Sequence, residues 1–191
     1  MRSFIAIEVP DEVRKEMTRV QEQLRKTKVD ASWTRPEGMH LTLKFLGEVP
    51  EAKIPEIVNG LQSAAAGVGQ FRLEVKGVGM FPNPQNARVV WIGLSGDIGT
   101  LTRLQGAVED AMARIGFARE ERKFTAHITL GRIKNIRSRD QWLAVLAEIK
   151  DRSLPGFDAA AVRLMKSELK PAGAVYTEIG NVELKLSRDE G

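Results

Sequence analysis

Histidine occurs twice in this chain, and both copies stand in the same pattern. His40-Leu41-Thr42-Leu43 and His127-Ile128-Thr129-Leu130 each read His-apolar-Thr-apolar. In an extended strand, residues i and i+2 share a face. Each motif therefore puts an imidazole and a hydroxyl on one side and two aliphatic side chains on the other. The aliphatic side suits a core, and the polar side suits the wall of a groove. Histidine titrates nearest neutrality. Of two facing imidazoles, one can stay neutral and accept a proton while the other, charged, attracts a phosphate and protonates a leaving oxygen. Attack and departure at phosphorus take place on opposite sides, so acid and base should flank it. Thr42 and Thr129 are placed to donate hydrogen bonds to non-bridging oxygens. A lone histidine among aliphatics is ordinarily structural; what points to phosphodiester cleavage is that both obey one rule.

Other chemistries fit less well. The 191 residues include no cysteine, which removes disulfides, thiolate metal sites and a cysteine nucleophile. A zinc hydrolase wants three protein ligands, often with a histidine pair on one helix; a third histidine and an H-E-x-x-H motif are both absent. Neither G-x-S-x-G nor a P-loop is present. The net charge of +4 favours polyanions such as RNA, although many basic proteins bind none. The apolar N-terminal run is broken by Glu8, and no stretch approaches a membrane span. We expect no metal, no cofactor and no membrane association, and a monomer acting in the cytoplasm.

The elements that must carry the motifs follow from periodicity. Ser3 to Val9 reads as a strand ended by Pro10. Asp11 to Lys28 reads as a helix with Asp11 as a possible N-cap and Val13, Met17, Val20 and Leu24 on one face. A loop with Pro36 and Gly38 leads to a strand over His40 to Gly47, a helix over Glu51 to Ala66, and a strand over Phe71 to Phe81. The order then restarts: a strand over Arg88 to Leu94, a helix over Asp97 to Ile115, a strand over Phe124 to Leu130, and a helix over Ser138 to Lys150 capped by Ser138. One or two strands fall in Phe157 to Leu169, and a last one in Tyr176 to Leu186. Phe4 maps to Trp91 and His40 to His127, both 87 residues on, and Phe71 maps to Phe157, 86 residues on. A fixed offset signals a duplicated unit. We expect one domain over residues 1–191, with approximate repeats 3–82 and 88–186. The fold class is α+β: two pseudo-symmetric lobes of antiparallel sheet with outer helices and the active-site cleft between them.

Flanking residues admit two readings each. Arg132 could hold a phosphate oxygen, but simple alternation puts it on the face of Ile128 and Leu130, and a bulge at Gly131 would be needed to bring it round. Lys44 shares the parity of His40 and Thr42 and could rim the cleft, or be solvated. Trp33 could stack a base or pack in the core. Tyr176 could lie near the groove mouth or pack within its strand. Phe45 and Phe124 are expected in the core.

The paired motifs resemble the two-histidine (2H) phosphoesterase superfamily. The stretches MRSFIAIEVP, WTRPEGMHLTLKFLGEV, FTAHITLGR and SELKPAGAVYTEI narrow the resemblance to the bacterial and archaeal RNA 2′,3′-cyclic phosphodiesterases, first described as 2′-5′ RNA ligases. It spans nearly the whole chain. It implies that His40 is the proton donor, that His127 accepts a proton from water, and that Thr42 and Thr129 bind phosphate. The implied reaction opens a 2′,3′-cyclic phosphate on an RNA end or a nucleotide to a 2′-phosphate, without metal or nucleotide cofactor. The motifs leave two alternatives: another 2H reaction (2′-5′ RNA ligation or cleavage, or ADP-ribose cyclic phosphate opening), or a non-catalytic RNA-binding module.

Overall fold

The computed structural model describes residues 1–186. Strand β1 (Arg2–Glu8) has five consecutive buried residues. Helix α1 (Asp11–Arg25) buries the stripe Val13, Met17, Val20 and Leu24. Pro10, not Asp11, takes its cap position; Asp11 sits in the first turn, where a carboxylate meets the positive end of the helix dipole. The helix stops three residues before Lys28, which takes a positive φ of 55°. Next come β2 (Asp30–Trp33), a 3-10 turn at Pro36–Gly38, β3 (His40–Glu48), a 3-10 turn at Glu51–Lys53, α2 (Ile54–Ala65) and β4 (Phe71–Phe81). The second half contains β5 (Val89–Gly96), α3 (Ile98–Arg114), β6 (His127–Asn135), α4 (Arg139–Ile149), β7 (Ser153–Ala159), β8 (Ala161–Lys170) and β9 (Gly173–Glu183). Helix α3 is capped by Asp97, whose side chain accepts from Thr100 N at 3.0 Å, and α4 by Ser138, which accepts from Gln141 N at 3.4 Å.

Other boundaries differ from expectation too: β7 starts four residues before Phe157, and β9 covers Gly173–Glu183, three residues earlier at each end than expected. Strand β2 lies where a loop was expected; it is a four-residue edge strand without an alternating apolar run, so pattern does not reveal it. Phe124 to Ala126 precede β6, because pairing with β5 begins only at His127 opposite Gly93.

The strands form two antiparallel sheets. One has four strands in the order β3-β1-β8-β9, the other five in the order β2-β6-β5-β4-β7. Each sheet takes strands from both halves of the chain. Phe4 of β1 faces Met165 of β8, and Trp91 of β5 faces Gly79 of β4. These two crossings are equivalent: Phe4 to Trp91 is an offset of 87, and Gly79 to Met165 one of 86. The helices are exchanged too. Helix α1, from the first half, packs with α4 behind the five-stranded sheet, and α3, from the second half, packs with α2 behind the four-stranded one. The lobes therefore do not coincide with the halves of the sequence. One apolar cluster joins both sheets and all four helices.

Candidate active site

Strands β3 and β6 approach each other where the two sheets meet. Their aliphatic residues Leu41, Leu43, Ile128 and Leu130 are buried in the common core, while His40, Thr42, His127 and Thr129 are half-buried on the opposite faces. Each motif strand thus turns its apolar face to the common core and its His and Thr away from it. Alternation alone dictates this much.

The two imidazoles are held alike. His127 Nδ1 lies 2.7 Å from the carbonyl oxygen of Thr125, two residues back. The carbonyl of Gly38, also two residues back, is the backbone group that interacts with the His40 ring. With Nδ1–H donated to a carbonyl, a neutral ring keeps its lone pair on Nε2. Aromatic rings fix each ring plane. Phe4 and Tyr176 stand edge-on to His40 at 5.5 and 5.3 Å between centroids. Phe81 and Trp91 flank His127 at 5.3 and 6.1 Å. Trp91 lies flat over Gly79, where a Cβ would come within 2.3 Å of the indole, so only glycine leaves room for the ring under His127.

Burial, with the guanidinium charges of Arg14 and Arg163, lowers His40 to a pKa of about 4, against a smaller opposing contribution from the Gly38 carbonyl. His40 is thus neutral at neutral pH in the free protein. Glu8 opposite His40 does not reverse this, because Arg14 and Arg163 both pair with it.

Both motif strands carry a β-bulge after the second apolar residue, and the bulges decide which flanking residues reach the groove. In β3, Thr42 faces Ala6 while Lys44 faces Ile5, leaving Leu43 extra. Lys44 therefore turns inward, against its expected place at the cleft rim. It is 5% exposed, and its Nζ lies 2.9–3.0 Å from the Glu109 carboxylate and 2.8 Å from the Ala118 carbonyl. Phe45 takes the groove face instead and is 72% exposed, not in the core as expected. In β6, Thr129 faces Trp91 and Gly131 faces Val90, leaving Leu130 extra. This is the bulge needed to bring Arg132 to the face of His127 and Thr129, and Arg132 is exposed there. A Cβ on Gly131 would meet Trp33 at 2.9 Å.

At each bulge a buried glutamine from an exchanged helix donates to the carbonyl of the extra residue, and that of Leu130 also accepts from Thr34 N at 3.0 Å. Gln21 of α1 donates to the carbonyls of Leu130 at 2.8 Å and Thr34 at 2.7 Å; Gln105 of α3 donates to that of Leu43 at 3.3 Å.

The remaining expectations divide. Tyr176 does lie against His40, with its ring also on Gly38. Trp33 does not reach the groove face: it faces Gly131, packs on the core and receives Arg25 over its ring at 5.3 Å, because its parity is set by pairing with the bulge. Phe124 is half-buried against the core. Sequence reasoning missed Phe45, Arg14, Glu8, Arg163, Gln21 and Gln105. The two glutamines carry no pattern of their own, since each is a polar residue inside an apolar stripe. Among the described residues no cluster of three His, Cys, Asp or Glu could hold a metal ion, and no helix is long and apolar enough to cross a membrane.

A solved protein of Thermus thermophilus has the same fold. It is 28% identical, with a TM-score of 0.81 over 98% of this chain and all of that one. The class so defined is a phosphoesterase of two antiparallel sheets, with one H-x-T-x strand in each. The chain belongs to the LigT-like phosphoesterase family, whose sequence pattern matches twice in tandem, over residues 7–91 and 92–176. Its relatives include proteins called RNA 2′,3′-cyclic phosphodiesterase. The one from Thermotoga maritima is 39% identical over 92% of this chain and 91% of its own length. The one from Methanothermobacter thermautotrophicus is 34% identical over 94% and 96% respectively.

Proposed function

We propose that this chain hydrolyses RNA 2′,3′-cyclic phosphate ends to 2′-phosphates by two-histidine general acid–base catalysis, without a metal ion. The observation that carries this is the pair of imidazoles, each with a threonine on the same strand face, on two strands that approach each other where the sheets meet. The names of the relatives supply the substrate class.

His127, its Nδ1 anchored on Thr125, removes a proton from water through Nε2 as the water oxygen attacks phosphorus. The bond from phosphorus to O3′ breaks on the opposite side, and His40 passes its proton to O3′. Thr42, Thr129 and Arg132 hold the non-bridging oxygens, where charge accumulates. Exposed Phe45, beside Phe4 at 6.1 Å, offers a stacking surface to the terminal base. His40 is neutral in the free protein, so its proton must arrive with the substrate: a phosphate anion beside it offsets the two arginines that depress its pKa. The chain is one 2H phosphoesterase domain that arose by internal duplication, and the register equivalence of the two sheets supports that origin.

The test is turnover of RNA ending in a 2′,3′-cyclic phosphate, in excess EDTA, with the product phosphate located by NMR. A 2′-phosphate at undiminished rate is expected. His40→Ala and His127→Ala should each lower kcat by about 10²–10⁴, and the double variant should be little worse than either. Activity lost in EDTA and restored by one divalent ion would overturn the metal-free mechanism.

A further inference from the structure

The two walls of the groove carry their cations differently. On the four-stranded wall, the arginines near His40 are already paired: Arg163 with Glu8 and Glu178, and Arg14 with Glu8 and Asp11. On the five-stranded wall, β6 presents Arg132 and then Lys134 on the face of His127 and Thr129, with Ile133 between them buried. A further register shift opposite Asp30 leaves Lys134 and Asn135 both turned outward. Arg132 and Lys134 are exposed, and neither makes an ion pair among the described residues. Arg88, at the turn leading into β5, is likewise exposed and unpaired. Ser32, Arg132, Val89 and Phe81 stand in one row across the sheet, and Phe81 is 37% exposed.

The other side differs. Beyond His40, past Glu8 and Arg163, lies a recess lined also by Asp11 and Asp158, where these carboxylates and the arginines beside them are already paired with one another. A polyanion is drawn to the end with unpaired cations, along β6. Same-face residues two apart on a strand are about 6.6 Å apart, a step that successive phosphates of an extended single strand can follow. Free cations beside an exposed aromatic ring are the ordinary equipment for single-stranded nucleic acid.

From this polarity we propose that β6 is the track for the RNA strand behind its reacting end. Arg132 meets the reacting phosphate, Lys134 meets the next phosphate upstream, and Phe81 offers its ring to the base between them. The chain leaves by the basic mouth, past Asn135. This rests on the proposed cyclic-phosphate hydrolysis.

The experiment compares a mononucleoside 2′,3′-cyclic phosphate with a tetranucleotide ending in one. For each, kcat/KM is measured against salt, and tetranucleotide binding is followed by fluorescence anisotropy. Lys134→Ala should lower the tetranucleotide-to-mononucleotide ratio of kcat/KM by about 3–10-fold and reduce the salt slope of tetranucleotide binding by about 0.7, the value of one phosphate contact on a single strand. Lys134→Glu should lower the ratio further. An unchanged ratio and slope in both variants would overturn the track. So would a ratio raised by Asp158→Asn, which would send the chain out past Asp158. If the wild type turns over neither substrate, the hydrolase assignment fails, and the anisotropy slope still judges the track.

Discussion

At the scale of single residues, His40 is the group whose behaviour departs most from its free amino acid. Its folded pKa of about 4 lies below the ordinary 6.5, first because it is buried and then because Arg14 stands near. Between those two values the unfolded chain binds a proton that the folded chain does not. Stability is therefore full above pH 6.5, falls as pH drops, and levels off below about 4. The loss should be on the order of 2–3 kcal/mol, and it should be missing from His40→Gln in denaturant titrations run at pH 7 and pH 4. The same shift marks the kinetics. The acid-side limb of kcat/KM, which reports the free enzyme, should lie near pH 4 and not near 6.5. Arg14→Gln removes the second-largest cause and should move that limb upward. A limb that stays in place would detach Arg14 from the site.

At the scale of elements, the two bulges choose what the groove contains. The H-x-T-x alternation was legible in the sequence because strand parity has a period of two and nothing interrupts it from His40 to Leu43 or from His127 to Leu130. Beyond those residues parity fails. One inserted residue sends Lys44 inward and Phe45 outward, and the matching insertion brings Arg132 round. Gly131 hinted at the second bulge; Lys44 gave no hint of the first. The glutamines brace the bulges by donating to the carbonyls of Leu130 and Leu43 from the helices behind. Gln21→Met should therefore lower kcat/KM by about 10-fold, on the order of 1.4 kcal/mol for a lost buried hydrogen bond. In an Arg132→Ala background the same change should cost little, because its effect runs through Arg132. Full additivity in that double-mutant cycle would reduce Gln21 to a packing residue.

The Lys44–Glu109 pair belongs to the same scale. It ties the His40 strand to α3, and through Ala118 to the segment that leads into His127. Removing one partner strands a buried charge, so Lys44→Met should cost about 3–5 kcal/mol of stability. Replacing both, with Lys44→Met and Glu109→Leu, should recover most of it. Thermal melts of the three variants check this.

At the scale of the whole molecule, the repeat was legible as an offset of 87 residues between equivalent histidines. How the halves combine was not. Periodicity reports which face of an element is apolar, but it does not report which partner covers that face. Hence periodicity marked α1 and α3 as outer helices but not that α1 packs behind the five-stranded sheet and α3 behind the four-stranded one. Likewise β4 follows the first motif in sequence and lies in the sheet of the second.

This exchange of strands and helices bears on how such a chain could have arisen. A single repeat, residues 1–82 for example, would lack β8 beside β1 and would leave β4 without its sheet. It could satisfy both only by trading the same pieces with an identical copy. The ancestor before duplication would then have been an obligate swapped homodimer with two identical histidines facing each other. Fusion would have made assembly independent of concentration and freed the two walls to diverge; positions 87 residues apart now hold Phe45 and Arg132. Accordingly, residues 1–84 and 85–191 produced as separate chains should each be unfolded alone and should regain helical circular dichroism when mixed. A fragment that folds by itself would show that the swap came after the fusion.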